Sequence, residues 1–250
     1  MIHSFLLIGQ SNMAGRGYLH EEPPIENDNL MVLKNGRWWP MFRPINYDRP
    51  FAGISSAEWF ADSYAKEHGV TVGIIPCADG GTSLNQWCEG GLLYDHAVCM
   101  AKLAQRTSTI AGVLWHQGEA DCRDDYYPFY EEKLTKIMEA LRRDLNLYDV
   151  PFLLGGLGDF LKNCETEPGA TNYVHINESL KAIAEKNAMT GFVSAEGLTA
   201  NPDNLHFNTK SLITFGLRYY ETFKTLEDKS KVFEEKCAED DAVRPLTESL

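Results

Sequence analysis

The sequence has no closely spaced cysteine pair: Cys77, Cys88, Cys99, Cys122, Cys164 and Cys237 are scattered without a CxxC. That excludes a zinc site of finger or ribbon spacing, and a chain of 250 residues is too large to depend on a disulfide framework. The thiols read as reduced and partly buried. Positive charge is also scarce, with 23 Lys and Arg against 36 Asp and Glu, a net charge of -13. Nucleic acids and anionic membranes draw much of their affinity from cationic contacts, so neither is expected as a partner. No stretch approaches the roughly 20 apolar residues of a membrane span. The opening Met1-Ile-His-Ser-Phe-Leu-Leu-Ile-Gly9 lacks a basic leader region, and its apolar run stops at Gly9. It reads as a first strand rather than a signal peptide, and the expectation is a soluble cytoplasmic protein acting on a small neutral molecule.

What is present is ordinary globular material, 44% hydrophobic and 24% charged. A chain of this length suits one α/β domain, burying about 70–75% of its unfolded surface. Phe5–Ile8 is a short apolar run, and Met31–Leu33 and Arg37–Trp39 flank an Asn35-Gly36 pair that favours a tight hairpin turn. Ser55-Ser-Ala-Glu58 has capping-box spacing, and Gly69 supplies a stop for the helix between them. Val70–Ile75, Ile110–Trp115, Phe152–Leu154 and Phe192–Ser194 read as further strands. Helices are expected over Tyr94–Gln105, Tyr127–Asp144 and Tyr173–Lys186, and from Thr209. This alternation implies a three-layer sandwich with a mainly parallel central sheet. A charge-rich helix and tail are expected over residues 226–250, after a domain spanning 1–225.

Four polar segments each follow one of these strands: Gly9-Gln-Ser-Asn12, Asp79-Gly-Gly-Thr82, His116-Gln-Gly-Glu119 and, after a short loop, Asp203-Asn-Leu-His206. In an open parallel sheet ligands bind outside the carboxyl ends of the strands, so these distant segments converge on one edge. Ser11 lies where a strand turns into a helix and is either a helix cap or a nucleophile; Gly9 precedes it by two, but Met13 stands where an elbow would have glycine. Asp203 and His206, three residues apart, are either a surface pair or a carboxylate orienting an imidazole. Gly80-Gly81 forms a tight turn or brings backbone N–H groups to a ligand, and Gln117 carries an amide able to donate to an oxyanion. Trp38, Trp39 and Trp87 belong to the core or stack on sugar rings.

The segments Ile8-Gly-Gln-Ser-Asn-Met-Ala-Gly-Arg16, Pro76-Cys-Ala-Asp-Gly-Gly-Thr82, Trp115-His-Gln-Gly-Glu-Ala-Asp121 and Asp203-Asn-Leu-His206 occur in the order seen in a known group. The chain, from about residue 2 to residue 220, resembles the SGNH-hydrolase superfamily in its sialate O-acetylesterase and acetyl xylan esterase (carbohydrate esterase) branch. The resemblance implies a flavodoxin-like sandwich and a serine esterase that removes acetyl groups from acetylated sugars without a metal or organic cofactor. It implies that Ser11 is the nucleophile, His206 the base and Asp203 its orienter. The oxyanion hole would comprise the Ser11 N–H, an N–H of the Gly80-Gly81 pair (Gly81 preferred) and the Gln117 side chain. Gln10, Asn12, Gly80 and Glu119 would support the pocket, Glu119 through hydrogen bonds or as a second base. The chain departs from the pattern at Ala120, where related members often carry serine. Asp121 is expected to pair with Arg123 or to cap the helix that follows it.

Rival readings are a lipid esterase or thioesterase with the same triad, a sugar-binding protein with a lapsed site, and a zinc hydrolase using His116, Asp121 and His206. The last lacks any ligand pair at helical or ribbon spacing. Dialysis against EDTA is therefore expected to leave ester hydrolysis unchanged; a loss that zinc or manganese restores would reject a serine mechanism.

Overall fold

The computed structural model describes residues 1–227. The expected charged tail from residue 228 onward, including Cys237, lies outside the described residues. The strands are β1 (Ile2–Gly9), β2 (Leu30–Lys34), β3 (Arg37–Pro40), β4 (Thr71–Pro76), β5 (Thr109–His116), β6 (Phe152–Gly155) and β7 (Thr190–Val193). The helices are α1 (Ser11–Ala14), α2 (Ala57–His68), α3 (Leu84–Trp87), α4 (Leu92–Ala104), α5 (Tyr130–Leu145), α6 (Tyr173–Lys186) and α7 (Thr209–Glu227). One sheet takes the order β3-β2-β4-β1-β5-β6-β7, and every pairing is parallel except the β2–β3 hairpin.

The central strands read as near-continuous apolar runs because both faces are covered. All eight residues of β5 are buried, as are seven of the eight in β1. Helices α2 and α7 pack on each other over one face; α4, α5 and α6 cover the other. The Asn35-Gly36 turn forms as expected, with both residues at positive φ. Glu58 accepts the Ser55 N–H at 3.1 Å, one half of the expected capping box. The Ser55 hydroxyl instead donates to Met13 O at 2.8 Å and so fastens α2 to α1.

Trp38 and Trp87 are core residues, donating to Thr107 Oγ1 and Thr82 Oγ1 respectively. Indole N–H groups that can reach a buried acceptor make such burial tolerable. Only Trp39, on the outermost strand, is exposed. Cys77 and Cys122 are buried, Cys164 is half-buried, Cys88 and Cys99 are exposed, and none of the five is bridged. No helix among the described residues is long and apolar enough to cross a membrane.

Gly216 on α7 lies against the start of α2: a Cβ there would meet Ser56 O at 2.2 Å and Trp59 Cβ at 3.0 Å. Replacing an exposed mid-helix glycine by alanine stabilises a helix by about 1 kcal/mol. Here the sign should reverse, because α7 must move off α2. Gly216→Ala is expected to cost roughly 1–3 kcal/mol, read as a lower urea midpoint with an unchanged slope. A midpoint that rises would show that the two helices are not in close contact.

Candidate active site

β1 lies between β4 and β5, where the chain's path reverses direction across the sheet, so its carboxyl end opens into the crevice of the fold. The strand ends at Gly9, which pairs with His116 on β5. A Cβ at Gly9 would lie 2.1 Å from His116 O, and its φ of 129° is closed to ordinary side chains. Glycine therefore lets β1 turn at once into α1, with Gln10 N–H donating to His116 O at 2.8 Å. Ser11 is the first residue of that short helix and is 5% exposed. Its hydroxyl does not cap the helix.

The hydroxyl bonds instead to His206, 195 residues away: Ser11 Oγ stands 3.0 Å from Nε2. His206 Nδ1 is 2.7 Å from Asp203 Oδ2. A carboxylate at Nδ1 keeps the proton on that nitrogen and leaves Nε2 free to accept from the serine. The Asp203–His206 pair sits in a tight loop rather than on a helical turn. Asn201 N–H donates to His206 O at 2.7 Å, and Asp203 Oδ1 accepts the N–H groups of Leu205 and His206 at 2.9 and 3.0 Å. Partial burial pushes the Asp203 carboxyl up, but these backbone bonds and the imidazole outweigh it and hold the group below its usual range. The pairing therefore persists above the ordinary carboxylate pKa and is lost only as pH falls through the lower folded value.

Two asparagines lock this loop to the serine. Asn12 Nδ2 donates to Leu205 O at 3.1 Å and to Glu119 Oε1 at 2.5 Å, while Asn12 Oδ1 accepts the Phe207 N–H at 3.0 Å. Asn201 Nδ2 donates to Arg16 O at 3.1 Å. Glu119 is buried with one oxygen on Asn12. Gln10 Oε1 accepts long bonds from the Gly118 and Ala120 N–H groups, at 3.3 and 3.4 Å.

The glycine turn is held from the other side. Asn46 pairs with both backbone groups of Ala78, at 2.9 and 3.0 Å. Gly80 N–H donates to Asp48 Oδ2 at 2.8 Å, and Asp48 forms a buried two-pronged pair with Arg16 at 2.7 and 3.0 Å. Arg49 closes the turn through Asp79 Oδ1 and Gly80 O, at 2.9 and 2.8 Å. A Cβ on Gly80 would lie 3.4 Å from Ser11 Cβ, so the turn abuts the serine. With the Gly80 N–H spent on Asp48, Gly81, at a φ of 74°, carries the N–H with no protein acceptor among the described residues. For Asn46 and Asp48 the sequence offers no signal beyond their side-chain chemistry, and Asn201 reads there, with Pro202, only as the mark of a loop.

Gln117 is placed differently from expectation. Its side chain is wholly buried, and Nε2 donates to Thr82 O at 3.0 Å and to Asp121 Oδ2 at 2.5 Å. Both amide hydrogens are thus engaged, and none is left for an oxyanion in this arrangement. Asp121 does not pair with Arg123, whose partner is Asp125. It is buried, its carboxyl raised by desolvation against the Gln117 and Leu84 hydrogen bonds, and it accepts the Leu84 N–H that begins α3 at 2.9 Å. His116 is buried against Phe207 and Phe215, with Nε2 bonded to Gly156 O at 3.2 Å; burial lowers its pKa. Among the described residues no three His, Cys, Asp or Glu side chains are grouped as a metal would need.

Residues 1–225 match the model of a family described as carbohydrate esterase, sialic acid-specific acetylesterase. A "probable carbohydrate esterase" of Arabidopsis thaliana is 28% identical over 236 residues, covering 85% of this chain and 86% of the relative. Its crystal structure superposes with a TM-score of 0.80 at 27% identity, over 89% of this chain and 98% of that one. NanS gives a TM-score of 0.73 at 17% identity, covering 91% of this chain and 98% of that one. A carbohydrate acetylesterase from Xanthomonas citri gives 0.68 at 19% identity, over 90% and 56%. The last two speak for the fold, which is that of the SGNH hydrolases. The chain belongs to the sialic acid-specific acetylesterase family of carbohydrate esterases and is a carboxylic ester hydrolase.

Proposed function

We propose that the protein hydrolyses O-acetyl groups from acetylated sugars through an acetyl-enzyme formed on Ser11, and that residues 1–225 are one esterase domain. The observation that carries this reading is the unbroken hydrogen-bond path Asp203–His206–Ser11 at the crevice of the sheet. His206 Nε2 takes the hydroxyl proton as Ser11 Oγ bonds to the acetyl carbonyl carbon. The oxyanion that forms is met by the N–H groups of Ser11 and Gly81. The bond to the sugar oxygen then breaks, and that oxygen leaves with the proton from His206. Water, deprotonated by the same imidazole, attacks the acetyl-serine, releases acetate and restores the hydroxyl. Asp203 stays ionised and steadies the imidazolium. Gln117 acts by bracing Thr82 and Asp121, so that it shapes the Gly81 turn instead of donating to the oxyanion.

The acyl group is proposed to be acetyl because the turns flanking the serine, Asp79–Ser83 and His116–Asp121, are short, polar and cross-braced. Each buried methylene is worth about 0.8 kcal/mol, so an apolar channel would raise kcat/KM steadily with acyl length. The expectation is the reverse: kcat/KM falls from the acetate through the butyrate to the octanoate p-nitrophenyl ester. The same preparation should release acetate from acetylated xylo-oligosaccharides or O-acetyl sialic acids. A kcat/KM that climbs with chain length, with no acetate released from any sugar, would replace this reading with a lipid esterase or thioesterase.

A further inference from the structure

Five of the seven exposed large aromatics among the described residues, Tyr18, Trp39, Phe42, Tyr47 and Phe51, lie within one stretch of chain. Two of them, Tyr47 and Phe51, are the most exposed of all, at 73% and 69%. Their segment is also the one that holds the glycine turn. Tyr47 sits between Asn46, bonded to Ala78, and Asp48, bonded to the Gly80 N–H. Phe51 has one face under the Arg16 guanidinium, 5.2 Å from its centroid, and Arg16 is the partner of Asp48. Farther along, Gly53 N–H donates to Gly15 O, and Ile54 and Gly17 exchange backbone bonds, which anchors the segment to the end of α1. The two rings are thus carried on a braced rim one contact removed from the turn that abuts Ser11. Tyr47 has neither hydrogen bond nor ring contact among the described residues, so it contributes nothing visible to holding that rim together.

Large aromatic faces left in water beside a reactive group mark a ligand surface. The half-exposed Arg49, between the rings in sequence, breaks the continuity that a lipid chain would need. A sugar ring suits this surface, because its C–H face packs on an aromatic ring while its hydroxyls meet a polar group. Arg16 and Arg43 are buried in ion pairs with Asp48 and Glu58. Arg49, held by Asp79 and two backbone carbonyls, keeps a side chain 40% exposed in the same segment and can still meet a substrate polar group.

We propose that Tyr47 and Phe51 form the platform for the sugar ring of the ester's alcohol half; the inference rests on the acetylesterase reading given above. The test compares the wild type with Tyr47→Ala, Phe51→Ala and the double variant on acetylated xylo-oligosaccharides, O-acetyl sialic acid and ethyl acetate. Each loss should raise KM for whichever of the two sugar esters the wild type cleaves better about 3–10-fold, with a much smaller change in kcat. The ratio of kcat/KM on the sugar ester to that on ethyl acetate should fall accordingly. A ratio that holds while both substrates decline would show that the rings serve the fold, and would overturn the platform. So would an unchanged KM in a double variant of an enzyme that does release acetate from sugars. A wild type that cleaves no sugar ester would instead remove the parent reading, and the platform with it.

Discussion

The Asn12 side chain is the interaction on which the site depends. With one amide it holds Leu205 O, the Phe207 N–H and Glu119, so three segments that are far apart in sequence meet on the residue after the serine. His206 lies between the two backbone groups that Asn12 grips, so the posture of that loop, together with the Asp203 carboxylate on Nδ1, keeps its imidazole 3.0 Å from Ser11 Oγ. The loop cost is modest because closure entropy grows slowly with length, but the alignment must be set by short, directional bonds. Asparagine suits the task because a neutral amide both donates and accepts, so it can clamp a strand-like backbone from one side. An aspartate there would keep the bond to Phe207 N–H and set a carboxylate against Leu205 O and Glu119.

The fold supplies the convergence that Asn12 then fixes. Parallel strands deliver their C-terminal turns to one edge, and Gly9 allows β1 to end against the His116 backbone without a side chain between them. From there helix α1, which carries Ser11, is held through Ser55 just ahead of α2, and the opposing glycine turn by the segment from Asn46 to Arg49. The site is thus rigid on both sides of the serine before any ligand arrives, which is what preorganised stabilisation of a developing charge requires.

Much of this was legible in the sequence. Buried parallel strands appear as apolar runs, so β4, β5 and β6 were placed to within one or two residues, and the expected α6 matches the observed one. Three of the four polar blocks closely follow such a run, and the Asp203–His206 block follows the last strand after a loop. Other features were not legible, for reasons of geometry. The capacity of Gln117 to donate follows from its type, but whether its hydrogens are free depends on Thr82 and Asp121, and that needs the packed turn. Gly80 and Gly81 are equivalent as letters and differ only because Asp48, 32 residues earlier than Gly80, takes one N–H. Trp38 and Trp87 read in the sequence as either core or sugar platform, and the structure buries both, each donating to a threonine hydroxyl. The exposed rings that do stand near the site, Tyr47 and Phe51, lie in a proline- and arginine-rich loop with no periodicity to mark them.

All of these arguments meet in one covalent bond, that between Ser11 Oγ and the acetyl carbon. It is tested most directly by mixing the protein with p-nitrophenyl acetate, quenching in acid before the first turnover is complete, and locating the acetyl group by peptide mass spectrometry. The account predicts one acetyl group per chain, on Ser11, and none on a folded Ser11→Ala variant. An acetyl group on another residue, or full turnover by the Ser11→Ala variant, would contradict it.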